Sequence, residues 1–139
     1  MRITVTSGFY NPIHRGHIEY LSMAKEQGDY HIAIVNSDYQ AGLKGSMYVP
    51  QGDRLSVVKA LKSVDDALLA IDSDITVKET LFLIKKSYPG DEIVFCKGGD
   101  RTSKNIPESQ ICEELGITII DGLGQKVQSS SNIRRALCG

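Results

Sequence analysis

The sequence predicts an α/β fold: one doubly wound domain with a five-stranded parallel sheet and helices on both faces. Three observations predict it. Short β-branched runs alternate with longer helical patterns along the chain, the mark of βαβ units. Glycine and proline fall where those patterns end. The length of 139 residues suits one compact core and is short for two, so residues 1–139 are read as one domain.

Strands are expected at Arg2–Ser7, Tyr30–Asn36, Ala67–Ile71, Glu92–Cys96 and Ile117–Asp121. Helices are expected at Gly16–Glu26, Gln51–Lys62, Thr76–Lys86, Pro107–Leu115 and Ser130–Leu137. Val57, Val58, Leu61 and Val64 give the second helix an apolar stripe, and Val77, Leu81 and Ile84 do the same for the third. Gly28 with Asp29, Pro89 with Gly90, and Gly116 supply stop signals. Two connections, Asp38–Pro50 and Lys97–Asn105, read as long glycine-bearing loops. Both leave the carboxyl ends of strands, where open α/β sheets bind ligands, and so does the segment after Ser7.

With 16 basic and 17 acidic residues the net charge is -1, which gives no reason to expect a nucleic-acid partner. Phosphates must then be met by local cations and backbone amides. MRITVTSG lacks the charged lead and long apolar core of a signal peptide, and no run approaches the roughly 18 apolar residues of a membrane span. Cys96, Cys112 and Cys138 are odd in number and widely spaced, which suggests reduced, mainly buried thiols and a cytoplasmic location.

Chemistry concentrates in Ser7-Gly8-Phe9-Tyr10-Asn11-Pro12-Ile13-His14-Arg15-Gly16-His17, which leaves the first strand and opens the first helix. Gly8 permits close backbone approach to a ligand, and the helix start offers unpaired N–H groups to an anion. His14 and His17, three positions apart, face the same side, and near phosphate an imidazole can donate to an oxygen whose charge grows in the transition state. Zinc binding by the pair lacks completing ligands nearby, and two surface polar residues on an amphipathic helix are the plainer alternative.

This segment resembles the H-x-G-H signature of the nucleotidyltransferase superfamily, which contains cytidylyltransferases, nicotinamide-nucleotide and phosphopantetheine adenylyltransferases and the class I aminoacyl-tRNA synthetase domain. Val35-Asn36-Ser37-Asp38, Leu43-Lys44-Gly45, Arg54, Val64-Asp65, Lys97-Gly98-Gly99-Asp100 and Ser129-Ser130-Ser131-Asn132-Ile133 follow in the family's order, across almost the whole chain. The pattern is most similar to the sugar-phosphate branch, the heptose-1-phosphate adenylyltransferase domain and glycerol-3-phosphate cytidylyltransferase. Tyr10-Asn11 stands where that branch usually has Phe-Asp, whereas Asn11-Pro12 is similar to the nicotinamide-nucleotide enzymes, so the polarity of the acceptor site is expected to differ.

The resemblance implies a Rossmann-like domain and a role for each matched residue. His14, His17, Lys44, Ser130 and Ser131 would contact the triphosphate and act in catalysis. Ser7, Gly8, Phe9, Asn11, Lys97, Gly98, Gly99, Asp100, Gln125 and Ser129 would form the nucleotide site, and Asp38 and Arg54 the acceptor side. Serines before an apolar helix are also ordinary N-caps, and by chance alone Lys44 is more often one more solvated lysine. The implied reaction moves a nucleoside monophosphate, AMP slightly before CMP, from the triphosphate to a phosphorylated small molecule, with Mg²⁺ held mainly by the triphosphate and pyrophosphate released. A homodimer is also implied. The competing expectations are a nucleotide-binding regulator without catalysis and, more remotely, a flavodoxin-like carrier. A dinucleotide G-x-G-x-x-G after a strand is lacking, and Gly122-Leu123-Gly124-Gln125-Lys126 lacks phosphate-loop spacing.

Overall fold

A computed structural model of the chain describes residues 1–45, 48–98 and 106–123. In chain order these form β1 (Arg2–Gly8), α1 (Arg15–Glu26), β2 (Tyr30–Val35), α2 (Asp38–Lys44), α3 (Gln51–Lys59), β3 (Asp66–Leu69), α4 (Lys78–Ser87), β4 (Glu92–Gly98), α5 (Ser109–Leu115) and β5 (Thr118–Leu123). The sheet is wholly parallel with strand order β3-β2-β1-β4-β5. The chain therefore winds outward from β1 to β3, returns to the other side, and leaves a topological switch point between β1 and β4.

Period-two alternation shows why both faces need helices. Ile32 and Ile34 of β2 join Ile3, Val5, Ile93 and Phe95 in one buried cluster with Leu81 and Ile84 of α4 and Cys112 of α5. Their neighbours Ala33 and Val35 point oppositely, into a cluster with Leu21 of α1 and Val58 of α3, and Val94 and Cys96 pack with Ala24 of α1. The expected α/β architecture is thus the observed one. No helix among the described residues is long and apolar enough to cross a membrane.

Boundaries shift by a few residues. The expected helix Gln51–Lys62 ends at Lys59, and Val57 of its stripe is 45% exposed while Val58 is buried. Helix α4 begins at Lys78 rather than Thr76, because the Thr76 amide and hydroxyl are both held by Asp74 Oδ1. The larger correction is Asp38–Pro50, expected as loop, whose first half is α2. Ser37 accepts from the Gln40 amide while Gln40 Oε1 accepts from the Ser37 amide, a reciprocal capping box. Gln40 is fully buried and donates to the Asp74 and Thr76 carbonyls, anchoring α2 to the segment before α4. Gly116 caps α5 at φ 73°, as its stop signal implied. The expected helix Ser130–Leu137 lies outside the described residues.

Candidate active site

The carboxyl ends of β1, β2 and β4 open onto two adjoining cavities. One, of about 400 Å³, is lined by residues that include Asn11, His14 and Tyr48, and the other, of about 420 Å³, by residues that include Ser7, Asn36, Lys97 and Glu108. Phe9, His17 and Lys44 line both.

The histidine pair is built into the start of α1. His14 is the N-cap and its Nδ1 accepts the Gly16 amide at 3.1 Å, while His17 Nδ1 accepts the His14 amide at 3.1 Å. Two imidazoles thus form a capping box, the role more often taken by Ser or Thr with Glu or Gln. The rings stack with centroids 3.9 Å apart, and the Tyr10 ring meets His17 edge-on. Because each Nδ1 receives a backbone proton, the neutral ring must carry its own proton on Nε2. Both imidazoles are thereby fixed as Nε2–H donors on the walls of the cleft.

Gly8 lines the second cavity, and the turn between β1 and α1 gives it a packing role as well. A Cβ built on Gly8 would lie 2.7 Å from Tyr10 Cζ, so the bare backbone makes room for the buried Tyr10 ring. Tyr10 itself takes a left-handed φ of 52°, which turns the chain back over its strand. Burial raises the Tyr10 hydroxyl pKa far above its ordinary value, so it remains protonated. Asn11 Oδ1 accepts the amides of both Tyr48 and Val49, pinning the far side of the first cavity.

Arg54 is where the structure departs most from expectation. Instead of facing a phosphate, its side chain is wholly buried and lines neither cavity. Its Nε donates to the Val49 carbonyl, Nη1 to the carbonyls of Phe9 and Asn36, and Nη2 pairs with Asp38 Oδ1 at 2.8 Å. Asp38, also expected at the acceptor, is committed to this ion pair, and its amide receives support from Gln51. The two residues tie together the turn after β1, the end of β2 and the start of α3.

Lys44 and Lys97 do reach the cleft. Lys44 Nζ stands 4.6 Å from the centre of the Phe9 ring, and Lys97 Nζ contacts Ser7 Oγ at 3.3 Å. Gly98 lies against Tyr20 and the Leu123 carbonyl, where a Cβ would come within 3.0 Å of that oxygen. Gly99, Asp100, Gln125, Ser129, Ser130 and Ser131 lie outside the described residues. Asn36 and Glu108 were not foreseen as site residues, yet both line the second cavity. For Asn36 the signal was a polar residue ending an apolar strand, whereas Glu108 had none beyond its place in a polar segment. Among the described residues no group of three or more His, Cys, Asp or Glu is arranged to hold a metal ion. Cys96 and Cys112 are buried, and burial pushes both thiols up to about 12, which suits packing rather than reactivity.

Capped imidazoles and lysines thus stand at the carboxyl edge of a doubly wound parallel sheet, where open α/β sheets bind ligands. The family model described as cytidylyltransferase-like matches residues 5–136, and the chain belongs to that family. An FAD synthase from Picrophilus torridus is 30% identical over 142 positions, covering 99% of this chain and 96% of that protein. The bifunctional protein HldE of a Nitratiruptor species is 35% identical over 117 positions, covering 82% of this chain but 24% of that longer protein. A lipopolysaccharide core biosynthesis protein from Thermoplasma volcanium superposes with a TM-score of 0.66 at 26% identity, over 88% of this chain and 93% of that one.

Proposed function

We propose that the protein transfers a nucleoside monophosphate, AMP in preference to CMP, from a nucleoside triphosphate to a phosphorylated small molecule. The observation that carries this reading is the imidazole pair, whose Nδ1 atoms accept backbone amides, so that each neutral ring carries its proton on Nε2, in a cavity that Lys44 also lines. An oxygen of the acceptor phosphate attacks the α-phosphorus in line. The bond from that phosphorus to the bridging oxygen breaks, and its electron pair leaves with pyrophosphate. Charge grows on the departing oxygens, where preorganised Nε2–H donors and lysines stabilise it most. No covalent intermediate on a histidine is needed.

The cleft walls offer cations and N–H donors, which fit phosphate oxygens better than a metal ion. Mg²⁺ would arrive with the triphosphate and neutralise part of its charge. Ser130 and Ser131 would hold the β- and γ-phosphates, as the family resemblance implies. The preference for AMP draws on relatives named for FAD synthesis, which adenylylates FMN, and on HldE, whose family resemblance points to a heptose phosphate. FMN and sugar 1-phosphates are accordingly the acceptors to try first. Incubation with ATP or CTP, Mg²⁺ and each acceptor should release pyrophosphate in at least one pairing. Nucleotide binding without release under all pairings would instead make the protein a regulator. A homodimer is part of the same proposal, measured by light scattering on the eluting protein.

A further inference from the structure

The second cavity contains a carboxylate that the proposed chemistry does not use. Glu108 is only 4% exposed, and its Oε2 accepts the Val77 amide at 3.0 Å across 31 positions of sequence. That contact orients the carboxyl group. Its other oxygen, Oε1, is buried and has no hydrogen-bond partner among the described residues. Nor does Glu108 form an ion pair among the described residues. The lysines lining the same cavity make other contacts, Lys97 with Ser7 and Lys44 with the Phe9 ring. A buried carboxylate oxygen without a donor is costly, and native structures retain few such groups outside functional sites.

We propose that Glu108 is a specificity-determining residue that accepts a hydrogen bond, through Oε1, from a hydroxyl of the phosphorylated acceptor. The inference rests on the function proposed above and narrows its substrate class to polyhydroxylated phosphates. A carboxylate repels phosphate and attracts O–H donors, whereas Lys44, Lys97 and His17 on the same cavity attract phosphate. A ligand carrying both an anionic end and hydroxyls satisfies this lining, and one without hydroxyls leaves Oε1 unpaired. The adjoining wall is firm, because Gln40 donates to the Asp74 and Thr76 carbonyls and Glu108 itself accepts the Val77 amide. A cavity of about 420 Å³ admits a sugar- or ribityl-sized group.

The test compares the wild-type protein with Glu108→Gln, using FMN, a heptose 1-phosphate and glycerol 3-phosphate as probes. Binding of each is followed by calorimetry with a non-hydrolysable ATP analogue present, and turnover by pyrophosphate release with ATP. Glutamine keeps a carbonyl oxygen for the Val77 amide, so the unfolding midpoint should remain near that of wild type, as it should in the exposed control Glu113→Gln. Binding of the preferred acceptor should weaken about tenfold in Glu108→Gln, and its KM should rise alike while the KM for ATP stays within twofold. A deoxy form of that acceptor, lacking the hydroxyl concerned, should bind the two proteins equally. Unchanged acceptor affinity in Glu108→Gln, with pyrophosphate still released, overturns this proposal and leaves the proposed function standing. Glu108-dependent binding without release overturns the proposed function and leaves the carboxylate's role intact. Failure of every hydroxylated probe to bind wild-type protein overturns both.

Discussion

Arg54→Met removes the guanidinium while keeping most of the apolar stem, and it separates an architectural arginine from a phosphate ligand. Three carbonyls, of Phe9, Asn36 and Val49, lose a charged donor, and Asp38 loses its ion-pair partner. Each hydrogen bond to a charged group contributes about 1.5–3 kcal/mol, but bonds from one side chain are not additive and the turn after β1 can relax toward water. Asp38 is 36% exposed and regains water, so the loss is set mainly by the three carbonyls left without a donor, each worth about 1–3 kcal/mol, and about 4 kcal/mol is expected here. Against a domain stability of about 5–15 kcal/mol, the variant should fold yet be marginal. In equilibrium urea unfolding with a slope of about 2 kcal/mol per molar, the midpoint should fall by about 2 M. Arg54→Lys should lose most of the same stability, since one ammonium cannot span four acceptors. A loss under about 1 kcal/mol with turnover abolished would refute the architectural reading and restore Arg54 to the phosphates.

His14→Ser keeps an N-cap oxygen for α1 but deletes an imidazole from the cleft, so stability should change by less than about 1 kcal/mol while pyrophosphate release falls roughly 10²-fold. Thermal unfolding and turnover measured on the same sample decide between a capping role and a chemical one. Gly8→Ala places a methyl group 2.7 Å from Tyr10 Cζ and should cost about 1–3 kcal/mol, a penalty that should shrink when Tyr10→Leu is added. His31 is fully buried, donating from Nδ1 to the Ser63 carbonyl and accepting at Nε2 from Thr6, and burial lowers its pKa below the ordinary 6.5. Between that lowered value and 6.5 the unfolded chain binds the extra proton, so stability rises with pH through this window and levels off above it. Urea midpoints from pH 5 to 8 should show a steeper rise for wild type than for His31→Gln, and parallel curves would exclude His31 as the source.

The sheet was readable because its signal is distributed: Ile32, Ile34, Ile93 and Phe95 alternate with Ala33, Val35, Val94 and Cys96, and each strand repeats the message. Helix α2 was obscured by its seven-residue length and by Gly42, although Ser37 and Gln40 stood at capping-box spacing. His14, His17, Lys44 and Lys97 were legible as cleft residues because strand ends and helix starts fix where such side chains go. Arg54 was misread for a physical reason. An arginine opening a helix looks the same in sequence whether its fork meets a ligand or backbone carbonyls, and only the fold brought Phe9, Asn36 and Val49 around it. Glu108 and Val77 meet through long-range packing that no local spacing encodes.

The double-imidazole cap links acidity to architecture. A proton arriving at either Nδ1 would not merely add charge to the cleft: it would turn an acceptor into a donor facing the amide of Gly16 or His14, and the first turn of α1 would lose a tie. Helix geometry therefore selects which tautomer each ring presents to the cleft, and the orientation of both rings is inherited from the backbone.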